Sequence, residues 1–346
     1  MKKSDLIIAD EILRAQIMLM RFTAGEQKRV VALLLGMRKE LKAKLQTGLT
    51  DFSRARVNKT LKACTAVINS YYAGIQTELN LFEVAQIQRQ STANALTLIG
   101  LDASLPTAAV LKALVSNALI DGAQLSAWRA KQAEDTAFRF AAQVRQGVAQ
   151  GETLNQIVDR IVGNPKKGIA GTMDIARRHA STLTHDAIMQ ISNDARMATY
   201  QENENLLRGY RQLSTLDSRT SAICVAYSGA TWNLNYKPME GTTLPFNNGC
   251  PRHPGCRSVI VPLTKTYRQL GIDVPEKEPG TRASDLGQIK ADTTFEAFLD
   301  RHDKAYSDRL LGKGKAELYR SGKITLRDLV DGNGRELTLE QLKAGL

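Results

Sequence analysis

Long apolar runs are missing from this 346-residue chain. No stretch of 18 apolar residues occurs, and the first segment, MKKSDLIIADEILRAQIMLMRF, is interrupted by Asp5, Asp10, Glu11 and Arg14. Neither a membrane-spanning helix nor a secretory leader is expected. Cysteines are few: Cys224, Cys250 and Cys256 lie within 33 positions, and Cys64 stands alone in a helical stretch. That excludes a disulfide-dense secreted scaffold and points to an intracellular product. No G-x-S-x-G, Walker loop or H-E-x-x-H occurs, so the common hydrolase, nucleotidase and metalloprotease signatures are absent. There is no internal repeat and no low-complexity tract. A hydrophobic content of 43% nevertheless suffices for a core, and the length suits about two or three folded units.

Positive charge is in excess, with 47 Lys and Arg against 35 Asp and Glu. It is concentrated at the start: residues 1–62 hold 14 basic against six acidic side chains. Lys2, Lys3, Arg21, Lys28, Arg29, Arg38, Lys39, Lys42 and Lys44 are the candidates for contact with DNA or an acidic partner, set against the plainer reading of a solvated helix face. Aromatics make up only 5% of the chain and are too sparse here for base stacking. Any DNA contact should therefore be sequence-independent and salt-sensitive.

The periodicity predicts a mainly α protein with a small α+β module. Residues 1–165 read as a helical N-terminal domain, 166–206 as a connecting helical segment, 207–264 as the module, and 265–346 as a linker and helical tail. Thr23-Ala24-Gly25-Glu26 and Thr153-Leu154-Asn155-Gln156 have the form of capping boxes. Apolar residues at three-and-four spacing predict helices over about 54–98, 125–150 and 173–207. The alternation Tyr210 to Thr215 and the β-branched run Arg257 to Leu263 predict strands. Asp217 is expected to cap a short helix reaching Tyr227. Gly271 to Asp285, with Pro275, Pro279 and Gly280, has the composition of an extended linker. Thr338 opens a last short helix. Asp186 and Asp194, eight apart on one helix with Glu202 and Glu204 beyond, read as solvated surface acids.

One constellation carries chemistry. Cys224, Cys250, His253 and Cys256 form C-x25-C-x2-H-x2-C, a set of thiolate and imidazole donors suited to one tetrahedral zinc ion. Four protein ligands would make a closed site that contributes folding free energy rather than turnover. Ordinary buried thiols or a Cys250–Cys256 disulfide are the alternatives. An HNH-type nuclease would need a second imidazole, and His253 is the only histidine in the module. No active site is apparent.

With the module laid out, the chain resembles the head morphogenesis (minor head) proteins of tailed bacteriophages, the phage Mu F-like group. The likeness rests on Thr215 to Ser221, Cys224, Ser228-Gly229-Ala230, Trp232, Pro245, His253-Pro254-Gly255-Cys256-Arg257 and the strand to Pro262. It extends upstream to Ala176-Arg177, Asn193 and Ala195-Arg196, and downstream to Leu311-Gly312, Leu318-Tyr319-Arg320 and Leu326 to Val330, about residues 170–346 in all. Family members often carry cysteine where this chain has Ser221 and Ser258. The resemblance implies a non-enzymatic virion protein of the head interior or portal vertex, present in the host cytoplasm during assembly. Its implied partners are the portal protein, major capsid or scaffolding proteins, and packaged double-stranded DNA bound non-specifically. Asp217, Arg219, Thr220, Gly229, Trp232 and Arg257 are then structural motif residues, with Asp217 as an N-cap and Arg219 pairing with a carboxylate or carbonyl. A capsid-carried DNA-processing enzyme or toxin, or a sequence-independent DNA-binding module, is the alternative.

Overall fold

The computed structural model describes residues 3–78, 80–239, 241–271 and 281–346. The first half is helical: α1 (Lys3–Gly48), α2 (Arg54–Glu78), α3 (Leu81–Thr97) and α4 (Ala108–Asn117). A short hairpin of β1 (Leu119–Ile120) and β2 (Ala123–Gln124) leads to α5 (Leu125–Ala149), α6 (Leu154–Val162) and α7 (Thr172–Glu202). Then come β3 (Leu207–Leu213), α8 (Ala222–Tyr227), β4 (Thr231–Trp232), β5 (Pro238–Met239) and β6 (Val259–Thr264). The hairpin β7 (Thr281–Ser284) and β8 (Gly287–Lys290) precedes α9 (Phe295–Leu299), α10 (Lys304–Leu311), α11 (Lys313–Arg320) and α12 (Leu339–Ala344). This is the mainly α architecture with a small α+β module that the periodicity predicts. No helix among the described residues is long and apolar enough to cross a membrane.

Two compact units are formed, and they cut across the four consecutive segments read from the sequence. One unit comprises residues 21–81 and 117–188; the other comprises 1–20, 82–116 and 189–346.

The first unit is all but entirely helical. Val30, Leu34, Met37, Leu41 and Leu45 line one face of α1, and Leu61, Cys64, Ile68, Tyr72 and Ile75 line one face of α2. Spacings of three and four put each set on a single stripe. Phe140 and Val144 of α5 and Ile157 and Ile161 of α6 complete the core, each contributing about 1.5–3 kcal/mol of burial. The capping box at Thr153 forms as its sequence requires, with the Gln156 side chain returning to the Thr153 amide at 2.8 Å. The one at Thr23 does not, because α1 runs unbroken through it. Its apolar face continues on both sides of Thr23, so side-chain burial outweighs a local stop signal. Gly171 is required where two backbones touch: a Cβ there would lie 2.4 Å from the Gly163 nitrogen.

The second unit is built on an antiparallel sheet of order β5-β4-β3-β6. All six residues of β6 are buried, which is why its sequence is continuously apolar or β-branched rather than alternating. Trp232, Tyr227, Tyr210 and Phe246 pack beside the sheet, and the Trp232 indole donates to the Leu244 carbonyl at 2.8 Å. Gly209 is needed opposite Trp232, since a Cβ would stand 2.2 Å from the Trp232 carbonyl oxygen. Asp5, 0% exposed, accepts from the Thr264 amide and hydroxyl, both at 2.8 Å. Arg196 is likewise buried and donates to Gln16 Oε1 at 2.6 Å and Gln88 Oε1 at 2.7 Å, joining all three stretches of this unit. Of the expected linker, residues 272–280 lie outside the described residues, while 281–284 pair with 287–290 as a hairpin.

Candidate metal centre

Cys224 sits on α8, a six-residue helix capped by Ser221, whose Oγ accepts from the Cys224 amide at 3.3 Å. Asp217 is therefore not the N-cap expected from the sequence. The helix starts four residues later, and Asp217 instead accepts two bonds from the Arg257 guanidinium at 2.5 and 2.7 Å. Burial pushes its carboxyl up, but the Arg257 bonds and charge outweigh that and hold it below the usual carboxylate range. Arg219, which is exposed, stands 3.7 Å from Asp217. Thr220 turns its hydroxyl to the Thr215 carbonyl at 2.5 Å. Gly229 takes a φ of +85° and donates to Gln212 O at 2.9 Å, closing the turn from α8 into β4. The motif thus braces the Cys224 loop against the segment leading into β6.

The second cluster arm is Cys250 to Cys256, a turn-rich segment in which the Cys256 amide donates to the His253 carbonyl at 3.1 Å. Cys224, His253 and Cys256 converge, their donor atoms all within 4.8 Å of one another. The Cys224 and Cys256 sulfurs are 3.5 Å apart, and Cys224 Sγ lies 3.3 Å from His253 Nε2. Tetrahedral zinc, with bonds of about 2.3 Å to sulfur and 2.0–2.1 Å to nitrogen, sets ligand–ligand edges of about 3.6–3.8 Å. The observed edges are a few tenths shorter, so these three residues could hold a metal ion. Cys250 is buried against the Cys256 thiol but is not one of the three-residue group. All four cysteines are free thiols in the structure, Cys64 remaining alone in the helical core.

The electrostatics suit a cation. Hydrogen bonds from the Cys224 and Cys250 thiols, joined by His253, pull the Cys256 thiol well below its ordinary value. Cys224 is pushed up, first by its bond to Cys256 and then by burial, and Cys250 chiefly by burial. A bound cation would favour ionisation of all three thiols. His253 Nδ1 lies 2.8 Å from the Pro254 carbonyl. A ring whose Nδ1–H is engaged in this way turns Nε2 into the lone-pair donor that a metal needs.

Ser221 is the residue that sequence spacing misses. Its Oγ lies 2.7 Å from His253 Nε2, and Ser258 also contacts the Cys224 thiol. Both positions where family members often carry cysteine therefore border the cluster. The only advance signal was that likeness itself, since serine has no metal-site signature.

The remaining candidates lie elsewhere. Lys2 is outside the described residues. Lys3 belongs to the sheet-containing unit, whereas Arg21, Lys28, Arg29, Arg38, Lys39, Lys42 and Lys44 belong to the helical one. Arg29 pairs with Glu26 at 2.7 Å and Arg38 reaches the Gly163 carbonyl at 3.3 Å, while Lys28, Lys39, Lys42 and Lys44 are exposed. Asp186 and Asp194 are not the solvated surface acids expected. Asp186 is buried, and burial pushes the Asp194 carboxyl up to about 6.

Residues 139–261 match the family model described as Phage Mu protein F like protein. The match overlaps the resemblance read from the motifs over residues 170–261; it reaches further upstream than those motifs, ends inside β6 and does not take in the downstream motifs from Leu311 to Val330. No curated protein and no solved structure matches the chain.

Proposed function

We propose that this chain is a minor head protein of a tailed phage that acts in head assembly, with its Cys/His module held closed by one structural zinc ion. The observation that carries the reading is the match of residues 139–261 to the phage Mu F-like family. The burial of the three thiols supports a structural role: Cys224, Cys250 and Cys256 are 2%, 3% and 1% exposed. A catalytic zinc keeps one position open to water, whereas a structural one is enclosed. A nuclease would need a second imidazole or a free carboxylate beside the cluster. The nearby Asp217 is engaged by Arg257, and the metal group contains one histidine.

In this reading Cys224, His253 and Cys256 supply three ligands and Cys250 the fourth after a small side-chain adjustment. The exposed cations of α1, Lys28, Lys39, Lys42 and Lys44, offer sequence-independent contact with packaged double-stranded DNA. The portal vertex, with its capsid or scaffolding neighbours, is the partner surface, and the role extends to packaging or delivery of the genome. Mass spectrometry of purified virions tests the proposal. The chain should be present at low copy in full particles and in portal-containing proheads. Its absence from both would overturn the reading, as would magnesium-dependent plasmid cleavage lost in His253→Ala.

A further inference from the structure

A groove of about 690 Å3 runs between α2 and α5, lined by Tyr72 and Ala73 on one side and Arg129, Ala133, Ala137 and Phe138 on the other. Arg129 is 4% exposed, and its Nε and Nη1 are buried with no hydrogen-bond partner among the described residues. No ion pair is formed by Arg129 among those residues either. Burial lowers its pKa only to about 10, so it is a cation at neutral pH. Burying an unpaired charge is strongly unfavourable, and the cost is offset when an anion completes the pair.

The walls select the anion. Beyond Arg129 the only charged residue lining the groove among the described residues is Glu134, which is exposed and stands 3.7 Å from Lys131. A nucleic-acid backbone needs several cations in register, and this groove presents one. A single carboxylate matches the planar fork of a guanidinium. The alanines of both walls let another helix approach at the usual interaxial distance of about 8–10 Å. Phe138, 74% exposed at the rim, offers an aromatic anchor for its apolar side.

We propose that this groove docks a helix of a partner protein, an apolar face with one acidic side chain that pairs with Arg129. The inference does not depend on the head-protein reading. The test uses the full chain and two fluorescent, alanine-rich helical peptides of 16 residues, one with a central Glu and its twin with Gln. By anisotropy the Glu peptide should bind at least about tenfold tighter than the Gln twin, about 1.4 kcal/mol. That preference should vanish in Arg129→Met. Phe138→Ser, on an exposed position, should weaken the Glu peptide while leaving the melting temperature unchanged. Arg129→Met should melt at or above the wild type, because it removes an unpaired buried charge. Equal affinity for the two peptides, no binding of either, displacement by inorganic phosphate rather than by excess Glu peptide, or a lower melting temperature of Arg129→Met would each overturn the proposal.

Discussion

Asp194→Asn should make the protein more stable. Asp194 is on α7 in the sheet-containing unit and accepts one bond, from Gln190 Nε2 at 2.8 Å. Burial raises its carboxyl from 3.8 to about 6, against the smaller downward pull of Gln190. A carboxyl whose pKa is higher in the folded than in the unfolded state binds its proton more tightly when folded. Its favourable contribution is fully present below about 3.8 and is lost as pH rises through about 6. Two pH units at about 1.4 kcal/mol each give a cost near neutrality of about 3 kcal/mol, an upper figure because α7 can relax around the charge. Asparagine removes the charge and retains an oxygen for Gln190. Urea denaturation followed by the fluorescence of Trp232, which is buried in the same unit, reads the difference. The variant should gain about 1–3 kcal/mol at pH 7 and little at pH 4. A variant no more stable than wild type at pH 7, or a gain that does not shrink on acidification, refutes the reasoning.

Two further substitutions probe the frame of the module. Arg257→Met leaves Asp217 without its bidentate partner at a largely buried position and should cost about 2–4 kcal/mol in the same urea assay. Because Asp217 is held below its ordinary pKa, the wild-type advantage should persist above about pH 4 and fade as pH drops through that lowered value. Gly209→Ala forces a Cβ to 2.2 Å from the Trp232 carbonyl and should cost about 3 kcal/mol or more, visible as a lowered melting temperature with loss of Trp232 burial.

How much of this could be read beforehand depends on range. Local signals were legible: the cap at Thr153, the stripes on α2 and α5, and the β-branched β6 all follow from residues within a few positions of one another. Of the four donors read as one set, Cys224, His253 and Cys256 converge and Cys250 stands outside the group. The pairing of His253 with Cys256 was local, whereas the approach of Cys224, 29 positions before His253, rests on the fold. What escaped was long-range polar pairing. Nothing local links Asp5 to Thr264, or Gln16 and Gln88 to Arg196, yet these bonds tie the first helix to the distant module. Asp217 has the form of a cap, and only the position of Arg257, forty residues on, makes it an ion-pair partner. Asp194 looked solvated because its type is usually exposed, and only the packing around α7 reveals otherwise.

Metal analysis of the purified chain is the most direct test of a closed structural centre. Near one equivalent of zinc per chain is expected, lost in Cys224→Ser, with chelation of the wild type lowering its melting temperature. A chain that is free of metal and whose melting temperature does not respond to chelator would contradict the account.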